Sequence, residues 1–169
     1  MTKRSVEATV EALNAHGVRY LIAGGLAVVA HGYVRFTADI DIILDLHPDN
    51  VARAIEAFGS LGYRPRAPVP FRDFVDPEKR RQWVQEKGLT VFSLYSPDHQ
   101  ATEIDVFVEL PLDFDPAYRA AARFEIAPSV SAVFVAYEDL LRLKKLAGRP
   151  RDLEDIERLQ AIRAEESSE

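Results

Sequence analysis

YLIAGGLAVVAHGYVRFTADIDIIL, residues 20–44, lays out a strand, a tight turn, a small helix and a second strand. The apolar run from Val18 to Ala23 predicts a buried strand. Gly24-Gly25 breaks that run and opens a small helix over 26–34, lined by Leu26, Val29 and Ala30. Arg35-Phe36-Thr37 connects it to a strand over 38–44. Asp39 and Asp41 fall on one side of that strand, and Ile40, Ile42 and Leu44 on the other, the pattern of a half-buried strand.

On the N-terminal side, Val6, Val10 and Leu13 predict a helix over 3–16, stopped by Gly17. On the C-terminal side, residues 47–63 read as a helix with Pro48 in its first turn and Val51, Ile55 and Phe58 as its stripe. Residues 64–77 hold four prolines and read as an irregular excursion. A short helix follows over 78–86. Strands over 89–96 and 101–110, separated by a turn at Pro97-Asp98, predict a hairpin. Beyond Pro111 the pattern loosens into an extended pair around 122–135. A helix over 138–147 ends at Gly148, a last helix covers 151–163, and the tail from 164 reads as frayed. The order predicts an α/β (α+β) fold with one mixed sheet flanked by helices. It forms a single domain over 1–169, with its core at about 18–110 and a C-terminal helical part at about 137–163.

Composition narrows the chemistry. The chain has 169 residues, 47% of them hydrophobic and 28% charged, so it suits one globular domain and not disorder, collagen or a coiled coil. It has no cysteine, which excludes disulfides, thiolate catalysis, Fe–S clusters and cysteine zinc sites. His16, His31, His47 and His99 lack metal-ligand spacing. A net charge of −6 is not the footprint of a protein that grips a long polyanion, so any nucleic-acid contact is local or metal-mediated. No targeting segment or membrane-spanning run is visible, and the expectation is a cytoplasmic protein with no membrane partner.

Asp39-Ile40-Asp41 places two carboxylates side by side, where each resists ionising unless a cation sits between them. Magnesium, hard and oxygen-loving, suits such a pair. Asp105 lies inside the apolar strand Ile104-Asp105-Val106-Phe107, with Glu103 on the same side. If that strand neighbours 38–44, Asp105 completes a three-carboxylate cluster of the kind that clamps two metals for phosphoryl chemistry. Gly24-Gly25, at a strand–helix junction, lets backbone N–H groups approach a phosphate. Arg35 suits a charge-assisted fork on phosphate.

Gly24-Gly25, a short helix, Arg35-x-Thr37-x-Asp39-Ile40-Asp41 and a strand-borne Asp105 together resemble the nucleotidyltransferase superfamily, with its DNA polymerase beta-like fold. GGLAVVAHGYVRFTADIDIIL most resembles the AbiEii-type toxin nucleotidyltransferases and minimal bacterial forms. DLLRLKKLAGRPRDLEDI, residues 139–156, is similar to the C-terminal part of that group. The resemblance covers about 18–45, 100–109 and 137–158. It implies that Asp39, Asp41 and Asp105 are catalytic and ligate Mg2+ or Mn2+, with Asp105 also helping to deprotonate the acceptor. It implies that Gly24, Gly25, Arg35, Thr37, Lys144 and Arg149 face the nucleoside triphosphate substrate. The implied reaction moves a nucleoside monophosphate from the triphosphate to an acceptor hydroxyl. That hydroxyl belongs to a tRNA end, a protein side chain or a small molecule. The toxin relatives also imply a toxin–antitoxin role with an antitoxin partner.

Other readings of the same residues stay open. Many active members carry Ser or Thr directly after the glycine pair, and this chain carries Leu26. That supports a catalytically weak nucleotide- or partner-binding module that kept the fold. A two-metal phosphodiesterase is a third reading. A haloacid-dehalogenase-like phosphatase expects Thr two residues past the second Asp, where this chain has Ile43. Lys144, Lys145, Arg149 and Arg151 also fit a solvated face paired with Glu138, Asp152, Glu154 and Asp155, and Asp152 suits an N-cap. Arg64, Arg66, Arg72, Lys79, Arg80 and Arg81 form a candidate basic patch for RNA. Trp83 reads as an acceptor platform or as ordinary packing.

Overall fold

The computed structural model describes residues 1–168. The elements are α1 (Lys3–Ala15), β1 (Tyr20–Ala23), α2 (Gly24–Ala30), β2 (Asp39–Leu44), α3 (Pro48–Ser60), β3 (Arg64–Pro65), α4 (Pro77–Lys87), β4 (Val91–Tyr95), β5 (Glu103–Phe107), α5 (Phe114–Ala120), β6 (Ala122–Ala127), β7 (Val130–Phe134), α6 (Tyr137–Ala147) and α7 (Pro150–Glu166). The strands make one mixed sheet in the order β3-β4-β5-β2-β1-β7-β6. This is the expected mixed α/β architecture.

The centre of the sheet is its most apolar part. Tyr20, Leu21, Ile22 and Ala23 of β1 are all buried, as are Ile40, Ile42, Ile43 and Leu44 of β2. Helices α1 and α3 cover this region, and their buried stripes are Val6, Val10 and Leu13, and Val51, Ala54 and Phe58. Strand β1 pairs antiparallel with β2 and parallel with β7, while β2 pairs parallel with β5. Strands β4 and β5 form the expected hairpin, and β6 and β7 form another within the extended region around 122–135. Among the described residues no helix is long and apolar enough to cross a membrane.

Four features differ from the sequence expectation. Helix α2 starts at Gly24, so both glycines lie inside it. The proline-rich excursion contains the two-residue strand β3 and a 3-10 turn over Phe71–Val75. Helix α5 had no counterpart in the sequence pattern. Arg19 anchors it, bonding Asp115 at 2.6 Å and lying over the rings of Phe114 and Tyr118. Helix α7 continues to Glu166, past the expected end at 163, with its last turn capped by the Ser167 N–H bonding to the Arg163 carbonyl.

Candidate active site

The alternation of β2 and β5 turns Ile40, Ile42, Ile104 and Val106 into the core and the carboxylates to the opposite face. The parallel register sets Asp39 opposite Glu103 and Asp41 opposite Asp105. Four carboxylates thus form a two-by-two patch on adjacent strands. Directly opposed like charges destabilise a sheet, and the patch shows it. Burial, then the charges of Asp105 and Glu103, raise the Asp39 carboxyl above its usual range. Burial, then Asp105 and Asp39, push Asp41 up to about 6, against the pull of Lys144 and Arg149.

Neighbours steer the outer two carboxylates. Ser93 of β4 stands opposite Asp105, and its hydroxyl donates to Asp105 Oδ1 at 2.5 Å. Arg66 forms an ion pair with Glu103 and lies over the ring of Tyr95. Among the described residues, no three His, Asp or Glu side chains converge as a ready-made ligand set.

Gly24 abuts the patch. It has φ of +60°, and a Cβ there would lie 1.8 Å from Asp41 Oδ2. A Cβ on Gly25 would lie 2.5 Å from Thr37 Oγ1 and 3.2 Å from Arg35 Nη1. The glycine pair is thus packed between Asp41 on one side and Arg35 with Thr37 on the other. Glycine is the residue that tolerates both the left-handed φ at position 24 and this close approach.

Lys144 reaches the same neighbourhood from α6, but it is bound within the protein. Its Nζ donates to Asp152 at 2.9 Å and Asp155 at 2.7 Å, and all three residues are buried. Arg35 grips Asp155 through two bonds, at 2.6 and 2.8 Å. Arg149 bonds Asp152 at 2.7 Å. Burial alone would raise both carboxyls. Hydrogen bonds from Arg149 and Lys144 hold Asp152 below its usual range, and bonds from Arg35 and Lys144 do so for Asp155. Three cations share two carboxylates, so one positive charge remains, close to the ionisation-resistant Asp41.

The structure thus sets Asp39, Asp41 and Asp105 on adjacent strands and Gly24, Gly25, Thr37 and Arg35 at the start of α2, while Lys144 and Arg149 are held on Asp152 and Asp155. Lys144 makes the pairing with Asp152 and Asp155 that the sequence also allowed, but in a buried network and not on a solvated face, and Arg35, read as a phosphate ligand, is paired with Asp155. Asp152 sits at the third position of α7 and accepts the Arg149 backbone N–H, a capping box in place of the expected N-cap.

Most of the other basic candidates are engaged. Arg80 is buried and donates to the Phe74 and Val75 carbonyls. Lys79 pairs with Asp73, and Arg81 with Glu78. Trp83 is packed and stacks on Phe92.

Sequence reading missed Ser93, and it took Asp155 as a surface partner of the C-terminal basic residues and not as the buried partner of Arg35. The alternation of VFSLY (91–95) places Ser93 on the polar face of the hairpin. The three-residue spacing of Asp152 and Asp155 puts both on one face of α7. These were the signals available.

No family model matches the chain, and no curated protein matches it. Among solved structures, the chain is similar in fold to ANT(2″)-Ia, determined in complex with adenylyl-2″-tobramycin. That likeness has a TM-score of 0.53 at 13% sequence identity, over 98% of this chain and 97% of that one. The fold is nucleotidyltransferase-like.

Proposed function

We propose that the chain is a single-domain, Mg2+- or Mn2+-dependent nucleotidyltransferase that moves a nucleoside monophosphate from a nucleoside triphosphate to an acceptor hydroxyl. The observation that carries this reading is the registered patch of Asp39, Asp41 and Asp105 with the bare backbone of Gly24 against it. Fold likeness to ANT(2″)-Ia supports it. Crowded, oxygen-only donors that resist ionising suit a hard divalent cation. Asp39, Asp41 and Asp105 would hold it, and it would supply charge neutralisation at the phosphates.

The chain's own groups do the rest. Gly24 and Gly25, having no side chain, let Asp41, Thr37 and Arg35 pack directly on the backbone at the start of α2, where the triphosphate would be held. Lys144, Arg35 and Arg149 give that side its excess positive charge. Asp105 takes the proton of the attacking hydroxyl.

The engaged state of Arg66, Lys79, Arg80 and Arg81 favours a protein or small-molecule hydroxyl over a tRNA end. The AbiEii-type resemblance extends the proposal to a toxin paired with an antitoxin. Leu26, which packs against the core in place of a hydroxyl residue, favours a second reading as a weakly active nucleotide-binding module.

Each alpha-labelled nucleoside triphosphate, incubated with the protein, Mg2+ or Mn2+ and a cell extract, is expected to label RNA, protein or a small compound. The doubly substituted Asp39→Ala/Asp41→Ala protein is expected to label none. Triphosphate binding without label in any fraction would select the binding module instead. Gly24→Ala is a second test. The new methyl must displace the Asp41 carboxylate, and a shift of about 1 Å at a reacting centre costs on the order of 100-fold in rate. Label transfer is expected to fall by that factor while far-UV circular dichroism stays unchanged. A variant as fast as the wild type would remove Asp41 from the reacting centre.

A further inference from the structure

Among the described residues, Ser93 is the one hydroxyl that donates a hydrogen bond to a carboxylate. Its Oγ lies 2.5 Å from Asp105 Oδ1. The other hydroxyl donors bond to backbone carbonyls, to Ser5 or to Asn14. A hydroxyl held within reach of a base is the arrangement of an activated nucleophile. The support around it is rigid. The Ser93 carbonyl accepts the Arg66 N–H at 2.9 Å, and β4 is paired with β3 on one side and β5 on the other. Ser93 is only half-buried, and it lies on the carboxylate-bearing face, across Asp105 from Asp41.

Ser93 thus stands where the hydroxyl of an outside acceptor would have to stand to give its proton to Asp105. We propose that Ser93 is a self-modification site: with triphosphate bound and no acceptor present, the protein transfers the nucleoside monophosphate to its own Ser93. The proposal rests on the transferase reading above.

The step balances with the triphosphate alone. Ser93 Oγ forms a bond to the α-phosphorus as the bond from that phosphorus to the bridging oxygen of pyrophosphate breaks. The electron pair leaves with pyrophosphate, and the hydroxyl proton passes to Asp105 Oδ1. The product is a nucleoside monophosphate ester of Ser93. The ester occupies the acceptor side of the carboxylates, so the modified chain is closed to further transfer.

The purified protein is incubated with each alpha-labelled triphosphate and Mg2+, in one series without acceptor and in another with cell extract. Intact mass and peptide mapping then follow. The expected result without acceptor is one nucleoside monophosphate per chain, carried on the tryptic peptide from Gly88 to Arg119. Ser93→Ala is expected to lose label by at least about tenfold, and Ser93→Thr, which keeps a hydroxyl, to retain part of it. Thermal melts of both variants check that they fold.

Label that persists in Ser93→Ala would move the site elsewhere and overturn the proposal. Label in extract acceptors with none on the chain would overturn it and leave the transferase reading standing. No label on the chain or in the extract would overturn both.

Discussion

Asp41→Asn is expected to stabilise the protein in chelator at pH 8 while abolishing transfer. The Asp41 carboxyl is pushed up to about 6 in the folded chain by burial and by the charges of Asp105 and Asp39. Its ordinary value is 3.8, so ionisation costs the fold free energy. A shift of this size is worth on the order of 2–3 kcal/mol at a pH above both values. The sign follows from linkage. Between pH 4 and pH 6 the folded chain holds more protons at this group than the unfolded chain. The penalty is therefore full above about pH 7, shrinks as pH falls through 6, and is gone near pH 4.

Asparagine removes the charge and keeps the shape. Its melting temperature at pH 8 is expected to exceed that of the wild type by roughly 4–12 °C, given about 2–4 °C per kcal/mol for a domain of this size. At pH 5 the advantage should fall to about half. Transfer should drop by at least about a thousandfold, because an amide oxygen replaces a charged donor facing the phosphates. Calorimetry at the two pH values beside the labelled-triphosphate assay checks both halves. A variant less stable than the wild type at pH 8 would mean that the carboxylate patch is not under repulsive load.

Residues 20–44 show how much of this was legible. A period-two pattern over six residues sufficed to put Asp39 and Asp41 on one face and Ile40, Ile42 and Leu44 on the other, because strand geometry is local. Asp105 was legible for the same reason. Its register against Asp41 was not, since pairing between strands some sixty residues apart is set by packing and leaves no local mark. Helix α5 was hidden for a related reason. Phe114 and Ala117 are its only buried residues, too few to establish a helical period, and Pro116 reads as a breaker. Lys144 was visible as a cation near an acidic helix start. Its partners were visible only as candidates, because the Arg35–Asp155 pair joins residues 120 apart in sequence. What propagates along the chain could be read, and what depends on distant segments meeting could not.

That distant pairing carries the second large effect. Asp155→Asn is expected to destabilise the protein by about 3–5 kcal/mol, the usual result of removing one partner from a buried ion pair. Asp155 has essentially no exposed surface and serves two cations, so its loss leaves Arg35 and Lys144 to share Asp152 and the already crowded Asp41. The acid dependence has the opposite sign to that of Asp41. Asp155 and Asp152 are held below their ordinary value, so their contribution is full above about pH 4 and lost as pH falls further. Wild-type stability in chelator should therefore rise from pH 8 towards 5 and collapse below 4, and Asp155→Asn should flatten the acid limb.

A double variant separates structural from chemical need. Replacing a buried ion pair by apolar groups of similar volume is often neutral, so Asp155→Leu with Lys144→Met should recover part of the melting temperature. It should not recover transfer: Arg35 and Arg149 against Asp152 still leave one positive charge, but the buried Lys144 ammonium, whose field favours the ionised Asp41, is then gone. Recovery of both would make the network a strut for α6 and α7. Recovery of stability alone would make Lys144 part of the triphosphate side, held in place by the two carboxylates that neutralise it.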